Sequence, residues 1–453
     1  MIKHPHRRDF AARPIRVACL LWFDEGLRPR RLSGGNMTSV LLIAAVFTMG
    51  YTMIAKRLTT TVITAPMVFL SFGFLLSHSG MMLHGDAEET LHLVAEIALV
   101  ILLFLDASQI DLEALKERHV WPQRMLLIGL PLTIALGTLA AAPFLPGWPL
   151  VALVLMAAIL APTDAALGQA VVTNPDVPER PRRALTVESG LNDGIALPAI
   201  LLFASLTAEA MDQNGVDWAL FGAKQLVLGP LVGIAMGYLG GRVLIWAKSH
   251  DFTSDTYEGV GAIALAGAAY LAATLVDGNG FISAFVAGLC FGNVVKGRCK
   301  FIYEFTESEG QLLTWAAFFL LGAALVPEAI QHLTWSTLAL ILVSLFVVRP
   351  LAIWLSLIGT DASTTTRLFF GWFGPRGLAT ALFALLIVQQ IDMELGEPIL
   401  YIAINAVWIS AFLHGLSALP AARWYGAHVG SKGKCPEAEP ITHSAKPLVT
   451  DDT

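Results

Sequence analysis

Thirteen apolar runs separated by short polar loops limit what this chain can fold into more than any other feature. They cover about 38–55, 61–78, 91–107, 125–142, 150–173, 184–207, 219–246, 257–276, 280–295, 310–326, 333–357, 368–389 and 399–419. A hydrocarbon core of ~30 Å takes ~20 apolar residues per helical crossing. The runs are too long for the ten-residue alternation of a membrane barrel. The expected fold class is therefore an all-α polytopic membrane protein with about 13 transmembrane helices. Composition agrees: 55% of the residues are hydrophobic and 14% are charged, where soluble domains carry about 25% charged. Disorder is excluded, because disordered chains are poor in apolar residues. A nucleic-acid binder is excluded too, since the net charge is −6 and no single basic patch exists.

Basic residues orient the crossings, because Lys and Arg concentrate in cytoplasmic loops. Nineteen fall in the odd-numbered loops and the tail, from Lys56 and Arg57 to Lys446, with Arg349 and Arg367 assigned to the eleventh loop. The even-numbered loops hold none and carry acids such as Asp86, Asp277 and Glu394. The C-terminus is expected inside the cell membrane, with 421–453 a short cytoplasmic tail and 37–420 the transmembrane domain. Residues 1–36 break the rule, with eight basic residues on the expected outside. Their apolar stretch at 17–23 is too short to span and too weak for a signal peptide. The natural start is expected at Met37. The four cysteines, Cys19, Cys290, Cys299 and Cys435, form no CxxC pair, so no zinc site, disulfide framework or cofactor is expected.

Charges inside spans cost about 2.5–3.5 kcal/mol each on insertion scales and mark functional candidates. Lys224 and Arg349 lie toward span ends, where they are expected to snorkel. Glu96, in the outer half of the third run, is open to a functional or a structural reading. Four others lie deeper. Asp164 sits in ILAPTDAALG, Glu188 and Asp193 in VESGLNDGIALP, and Arg376 in GWFGPRGLATALF. At 1.5 Å per residue, Asp164, Asp193 and Arg376 each lie roughly 12–14 Å from the inner boundary, near the midplane. Arg376 is expected to neutralise Glu188, a pair that would also serve as a plain structural salt bridge. Asp164 and Asp193 are then left over. Two carboxylates in a low-dielectric site cannot both stay ionised unaided. They must take up protons or a cation, as proton/cation exchange requires.

Neighbouring oxygens suit a hard alkali cation. Ser189 and Asp193 share one helix face, Glu188 and Asn192 the next, and Thr163 adds a hydroxyl and a carbonyl. Pro162 frees a carbonyl by removing a helical hydrogen bond, and Gly-Pro-Arg-Gly should interrupt the twelfth run. Breaks in helices five and twelve are seven apart. An odd offset makes helices two to six and nine to thirteen inverted five-helix repeats, each broken at its fourth helix, which is where transporters build their sites.

These motifs resemble a known family. APTDAALGQAVV followed by ALTVESGLNDGIALP is similar to the monovalent cation/proton antiporters of the first cation–proton antiporter family, the bacterial NhaP-type antiporters and the animal sodium/proton exchangers. The resemblance extends over about 37–419, with LLFLDASQIDLEALK, GNGFISAFVAGLCFG and FGPRGLATALF in order. It implies a homodimer whose mobile core carries Na⁺, or else K⁺ or Li⁺, against H⁺ across the lipid bilayer. It implies that Asp193 binds ion and proton, that Asp164, Thr163 and Ser189 contribute to the cation site, and that Asn192 and Glu188 organise it with Arg376. Asp106 falls where relatives often carry an acid after Leu-Phe and would line the inner funnel; otherwise it is a solvated helix-end charge. Asn192 before Asp193 resembles the electroneutral branch. Ala165, where many relatives have Pro, and the glycines Gly190 and Gly194 are departures. Two other readings compete. An intramembrane aspartyl protease would use Asp164 and Asp193 as a dyad, but no Gly-x-Gly-Asp motif occurs and Arg376 goes unexplained. A channel or sensor on the same scaffold is the third.

The expected start has a direct test. Intact-mass and peptide spectrometry of the native protein should find an N-terminus at Met37; a peptide from the Lys3–Arg31 stretch would contradict it.

Overall fold

The computed structural model of the chain describes residues 34–58, 60–79, 87–113, 120–211, 218–296, 301–388, 390–431 and 435–438. The basic stretch at 1–33 and the loop residues Lys116, Arg118, Arg298 and Lys300 lie outside these. Every regular element among the described residues is helical. In chain order they are α1 (Gly34–Leu58), α2 (Ala65–His78), α3 (Ala87–Ser108), α4 (Val120–Ala141), α5 (Leu150–Ile159), α6 (Ala165–Val172), α7 (Glu179–Met211) and α8 (Trp218–Ser249). Then follow α9 (Asp255–Thr274), α10 (Gly280–Val295), α11 (301–331), α12 (Trp335–Ser356), α13 (Thr364–Trp372), α14 (Leu378–Ile387) and α15 (Met393–Gly430). The chain divides into two units at Gly50, and everything below concerns the second.

Six of these helices are long and apolar enough to cross a membrane: α4, α7, α8, α12, α15 and the 310–331 part of α11. The exposed surface supports that reading. Val227, Leu231, Ile234, Leu239, Val243 and Trp246 of α8 all stand exposed. Large apolar faces are rare on soluble proteins and ordinary toward hydrocarbon.

Proline shapes three of the long helices. A π-turn occupies 125–129 in α4, 321–325 in α11 and 344–348 in α12. Each lies just ahead of a proline: Pro131, Pro327 and Pro350. Proline supplies no N–H to the carbonyl four residues back, and the helix widens there rather than leaving that geometry strained.

Small residues set the closest packing. On α8, Gly229, Gly233 and Gly237 recur every four residues and lie on the carbonyls of Asn279, Ser283 and Ala287 of α10. A Cβ on Gly233 would come within 2.6 Å of the Ser283 carbonyl. Membrane helices lack a hydrophobic drive to associate and rely on such backbone approach. On its other side α10 sets Gly288 and Gly292 against the Phe104 and Ser108 carbonyls of α3.

Helices break at two buried places inside the bundle, at the prolines and glycines that the sequence singled out. α5 and α6 are separated by a non-helical stretch at 160–164, and α13 and α14 by one at 373–377. α7 packs on α5 and on α6, so its middle faces the first break.

α15 does not end near 420 but runs on to Gly430, and the chain then returns to the bundle. Buried Glu437 accepts from the Thr366 hydroxyl at 2.8 Å and from the Ser363 amide at 3.1 Å. Burial pushes the Glu437 carboxyl up, but these bonds outweigh it and hold it down to about 2. Beside it Arg180 spans Asp361 at 2.7 Å, the Pro436 carbonyl at 2.9 Å and the face of Trp121. The start of α7 is thereby fixed.

Candidate functional site

Each break leaves buried backbone groups without an intrahelical partner. The Leu160 amide closes α5 on the Met156 and Ala158 carbonyls, which leaves the carbonyls of 161 and 162 and the first N–H groups of α14 to be satisfied. The two non-helical stretches cross and satisfy each other. The Asp164 amide donates to the Pro375 carbonyl at 2.9 Å. Arg376 Nη1 donates to the Ala161 carbonyl at 2.7 Å and to that of Pro162 at 3.3 Å, just beyond the end of α5. In return Asp164 Oδ2 accepts from the Leu378 amide at 2.8 Å, at the start of α14. The charges have the right signs for the helix dipoles: cation at a C-terminal end, carboxylate at an N-terminal end.

Glycine leaves room for this. A Cβ on Gly377 would collide with the Asp164 carboxylate, and one on Gly374 with the guanidinium of Arg349. The sequence Gly-Pro-Arg-Gly therefore breaks the helix, supplies one charge and admits two others.

α7 brings the second group of residues. Asn192 Nδ2 donates to Thr163 Oγ1 at 2.5 Å and to the Thr163 carbonyl at 3.2 Å. Thr163 Oγ1 also donates to Glu188 Oε2 at 3.3 Å and lies 3.4 Å from Ser189 Oγ. Thr163, Glu188, Ser189 and Asn192 thus form one cluster, at the spacing the sequence suggested. Asp193 stands next to it. Its Oδ1 is buried and has no hydrogen-bond partner among the described residues, and neither has Asn192 Oδ1. The carboxylates of Asp164, Asp106 and Glu188 are all within electrostatic reach of Asp193. Asp106, near the end of α3, is half-buried rather than fully solvated. Leu378 borders an apolar cavity of 140 Å³ with Ile97, Leu320 and Leu382, so hydrocarbon closes one side of the crossing. Among the described residues no three His, Cys, Asp or Glu side chains converge as a resident metal site.

One expected pairing is corrected. Glu188 is neutralised by Arg349, whose Nη2 lies 2.9 Å from Glu188 Oε1. Arg376 is close enough to feel Glu188 but spends its hydrogen bonds on the carbonyls beyond α5. Geometry explains the difference: Arg376 reaches the Ala161 and Pro162 carbonyls, and Arg349 reaches Glu188. Arg349 is therefore not a loop residue and does not snorkel. Its side chain is 2% exposed, and its Nε and Nη1 are buried without hydrogen-bond partners. The signal was in the sequence. Arg349 is eight residues from the end of its run at 357, about 12 Å deep, the depth that singled out Arg376. Lys224, by contrast, stands exposed. Glu96 accepts a hydrogen bond from the Tyr270 hydroxyl of α9.

A family model described as sodium/hydrogen exchanger, transmembrane, matches residues 41–424. The chain belongs to that family. It is accordingly a cation/proton antiporter and not an enzyme, which removes the protease reading. Among curated relatives, a K⁺/H⁺ antiporter NhaP of Alkalimonas amylolytica is 26% identical over 417 residues, 90% of this chain and 70% of that one. A K⁺/H⁺ antiporter NhaP2 of a Shewanella strain is 28% identical over 86% of this chain and 68% of its own length. A Na⁺/H⁺ antiporter NhaH of Halobacillus dabanensis is 25% identical over 68% of this chain and 78% of its own. The fold matches that of the sodium proton antiporter MjNhaP1 of Methanocaldococcus jannaschii, with a TM-score of 0.67 at 19% identity. It covers 87% of this chain and 97% of that one.

The Glu188–Arg349 pair yields a stability test. Removing one partner of a buried pair leaves the other charge uncompensated, typically a loss of about 3–5 kcal/mol. Arg349→Met should therefore lower the thermal midpoint in detergent sharply, and Glu188→Leu added to it should recover much of the loss. A single variant as stable as wild type would contradict the pairing.

Proposed function

We propose that the protein exchanges one monovalent cation for one proton by competition at Asp193. One observation carries this reading: a carboxylate oxygen buried without a hydrogen-bond partner, beside three other acids, where two broken helices cross. Four carboxylates, of Asp106, Asp164, Glu188 and Asp193, are gathered with two guanidiniums, of Arg349 and Arg376. The excess negative charge needs a cation or protons. Asp193 would hold either, with Asp164, Thr163 and Ser189 supplying further oxygens for the cation. Asn192 and Glu188 would fix Thr163 in place, Arg349 and Arg376 would balance charge, and Asp106 would line the inner approach.

The exchange would be electroneutral. Asn192 is neutral and already donates to Thr163, so one carboxylate is left to cycle between ion and proton. Potassium stands beside sodium as the leading substrate, because relatives aligned over most of the chain are named K⁺/H⁺ antiporters.

The finer architecture is part of the proposal. If α5 with α6 and α13 with α14 each make one crossing, the elements amount to thirteen crossings in residues 37–420. The two breaks then fall at equivalent places in two inverted five-helix repeats, on a homodimer in the cell membrane with the tail from 421 inside. Alternating access would carry the crossing from one face to the other.

Proton flux in proteoliposomes, followed with a pH-sensitive dye, tests the reading. Pulses of Na⁺, K⁺ or Li⁺ should alkalinise an acid interior in wild type and leave Asp193→Asn silent. Full activity of that variant would refute competition at Asp193. Leak that neither saturates nor runs uphill would favour a channel.

A further inference from the structure

The crossing leaves one part of the second break without an obvious support. Arg376 and Asp164 bridge the two stretches, yet something must hold the 373–377 stretch itself open. A hydrogen-bonded chain on α15 fills that place. The Arg376 backbone amide donates to Ser410 Oγ at 2.7 Å. Ser410 Oγ lies 3.0 Å from His414 Nδ1, one helical turn further on. His414 Nε2 lies 2.9 Å from the carbonyl of Trp372, the last residue of α13. Ser410 and His414 are 0% and 1% exposed. The imidazole also stacks on the Trp372 ring, 4.8 Å between centroids.

The tautomer follows from counting donors and acceptors. The Trp372 carbonyl offers only lone pairs, so a hydrogen bond from α15 across to α13 puts the proton on Nε2. The carbonyl then accepts twice, from Nε2–H and from the Gly374 amide at 2.8 Å. Nδ1 is then an acceptor for the Ser410 hydroxyl proton, with the Ser410 backbone carbonyl also 2.9 Å away. Ser410 Oγ in turn accepts from Arg376. The chain runs from the last carbonyl of α13 to the amide of Arg376. The opposite tautomer would donate to the Ser410 carbonyl within α15 and lose the link across to Trp372. A doubly protonated ring would be a third buried cation near Arg349 and Arg376, at a large desolvation cost.

We propose that His414, acting through Ser410, is a positioning residue for the transport site. It sets the span of the second break, and thereby where Arg376 meets the carbonyls beyond α5 and where the Leu378 amide meets Asp164. The proposal rests on the antiport reading only in taking Asp164 to be part of the cation site. It goes beyond that reading in assigning a function to two residues of α15, a helix without an ionisable ion ligand. Neither residue touches the cation. Their loss should loosen Asp164 and weaken cation binding more than turnover.

The test uses the full-length protein. Cation binding is read from the midpoint of Na⁺- or K⁺-induced thermal stabilisation of purified protein, and transport from dye-monitored flux in proteoliposomes. His414→Ala and Ser410→Ala should each raise the cation midpoint about fivefold, the equivalent of one net hydrogen bond, with a smaller change in maximal rate. The double variant should be no worse than either single one, because both cut the same chain. His414→Gln, whose amide donates to the Trp372 carbonyl, should recover most of the midpoint. Ser410→Ala is a minimal change and keeps the test usable if His414→Ala fails to fold. Unchanged midpoints in the single variants would overturn the proposal, as would additive effects in the double one. A fall in rate that only tracks lost stability would overturn it too. A wild type that binds cation without driving flux would contradict the antiport reading, and the brace would still be decided by the binding midpoints.

Discussion

Backbone polar groups at bilayer depth have no water to turn to, and the rest of this site follows from how they are satisfied. Two helices stop inside the bundle. Each leaves dipolar ends that would cost several kcal/mol per orphaned group in hydrocarbon. Crossing the stretches lets one repair the other, with Arg376 on the carbonyls beyond α5 and Asp164 on the first amide of α14. Charges that would be prohibitive alone become affordable as caps.

That arrangement accounts for the uneven treatment of the acids. Glu188 is locked to Arg349 and Thr163. Asp164 is engaged by α14. Asp193 alone among them shows a buried oxygen with no hydrogen bond. A site with every carboxylate satisfied would be a structural core. The proposal puts exchange at Asp193 because its oxygen is the one left unengaged beside the Thr163 cluster. Local rigidity serves the same end, since Asn192 ties Thr163 to α7 and His414 ties α13 to Arg376.

Much of this was legible in the sequence. Apolar run length gave the helices, and prolines and glycines at 162, 374, 375 and 377 gave the breaks. The four-residue spacing of Glu188 and Asn192 gave the face that meets Thr163. The partner of Glu188 was legible by depth but was assigned to a loop. Arg349 lies inside the run at 333–357, yet Pro350 beside it reads as a helix end near the membrane surface. The π-turn at 344–348 instead lets the helix continue to Ser356 and buries the guanidinium. Likewise nothing local in α15 marks Ser410 and His414, because their partners lie 34 and 42 residues away along the chain. Pair identity in a membrane core depends on which helix ends need caps, and that is a property of the crossing rather than of any one segment.

The central claim is that one buried carboxylate is shared in turn by a proton and a cation. Calorimetry of Na⁺ or K⁺ binding to the purified protein, in buffers of different ionisation enthalpy, tests it most directly. Deprotonation of the ligand on binding predicts about one proton released per cation bound, and no such release in Asp193→Asn. Cation binding to wild type without proton release would contradict the account.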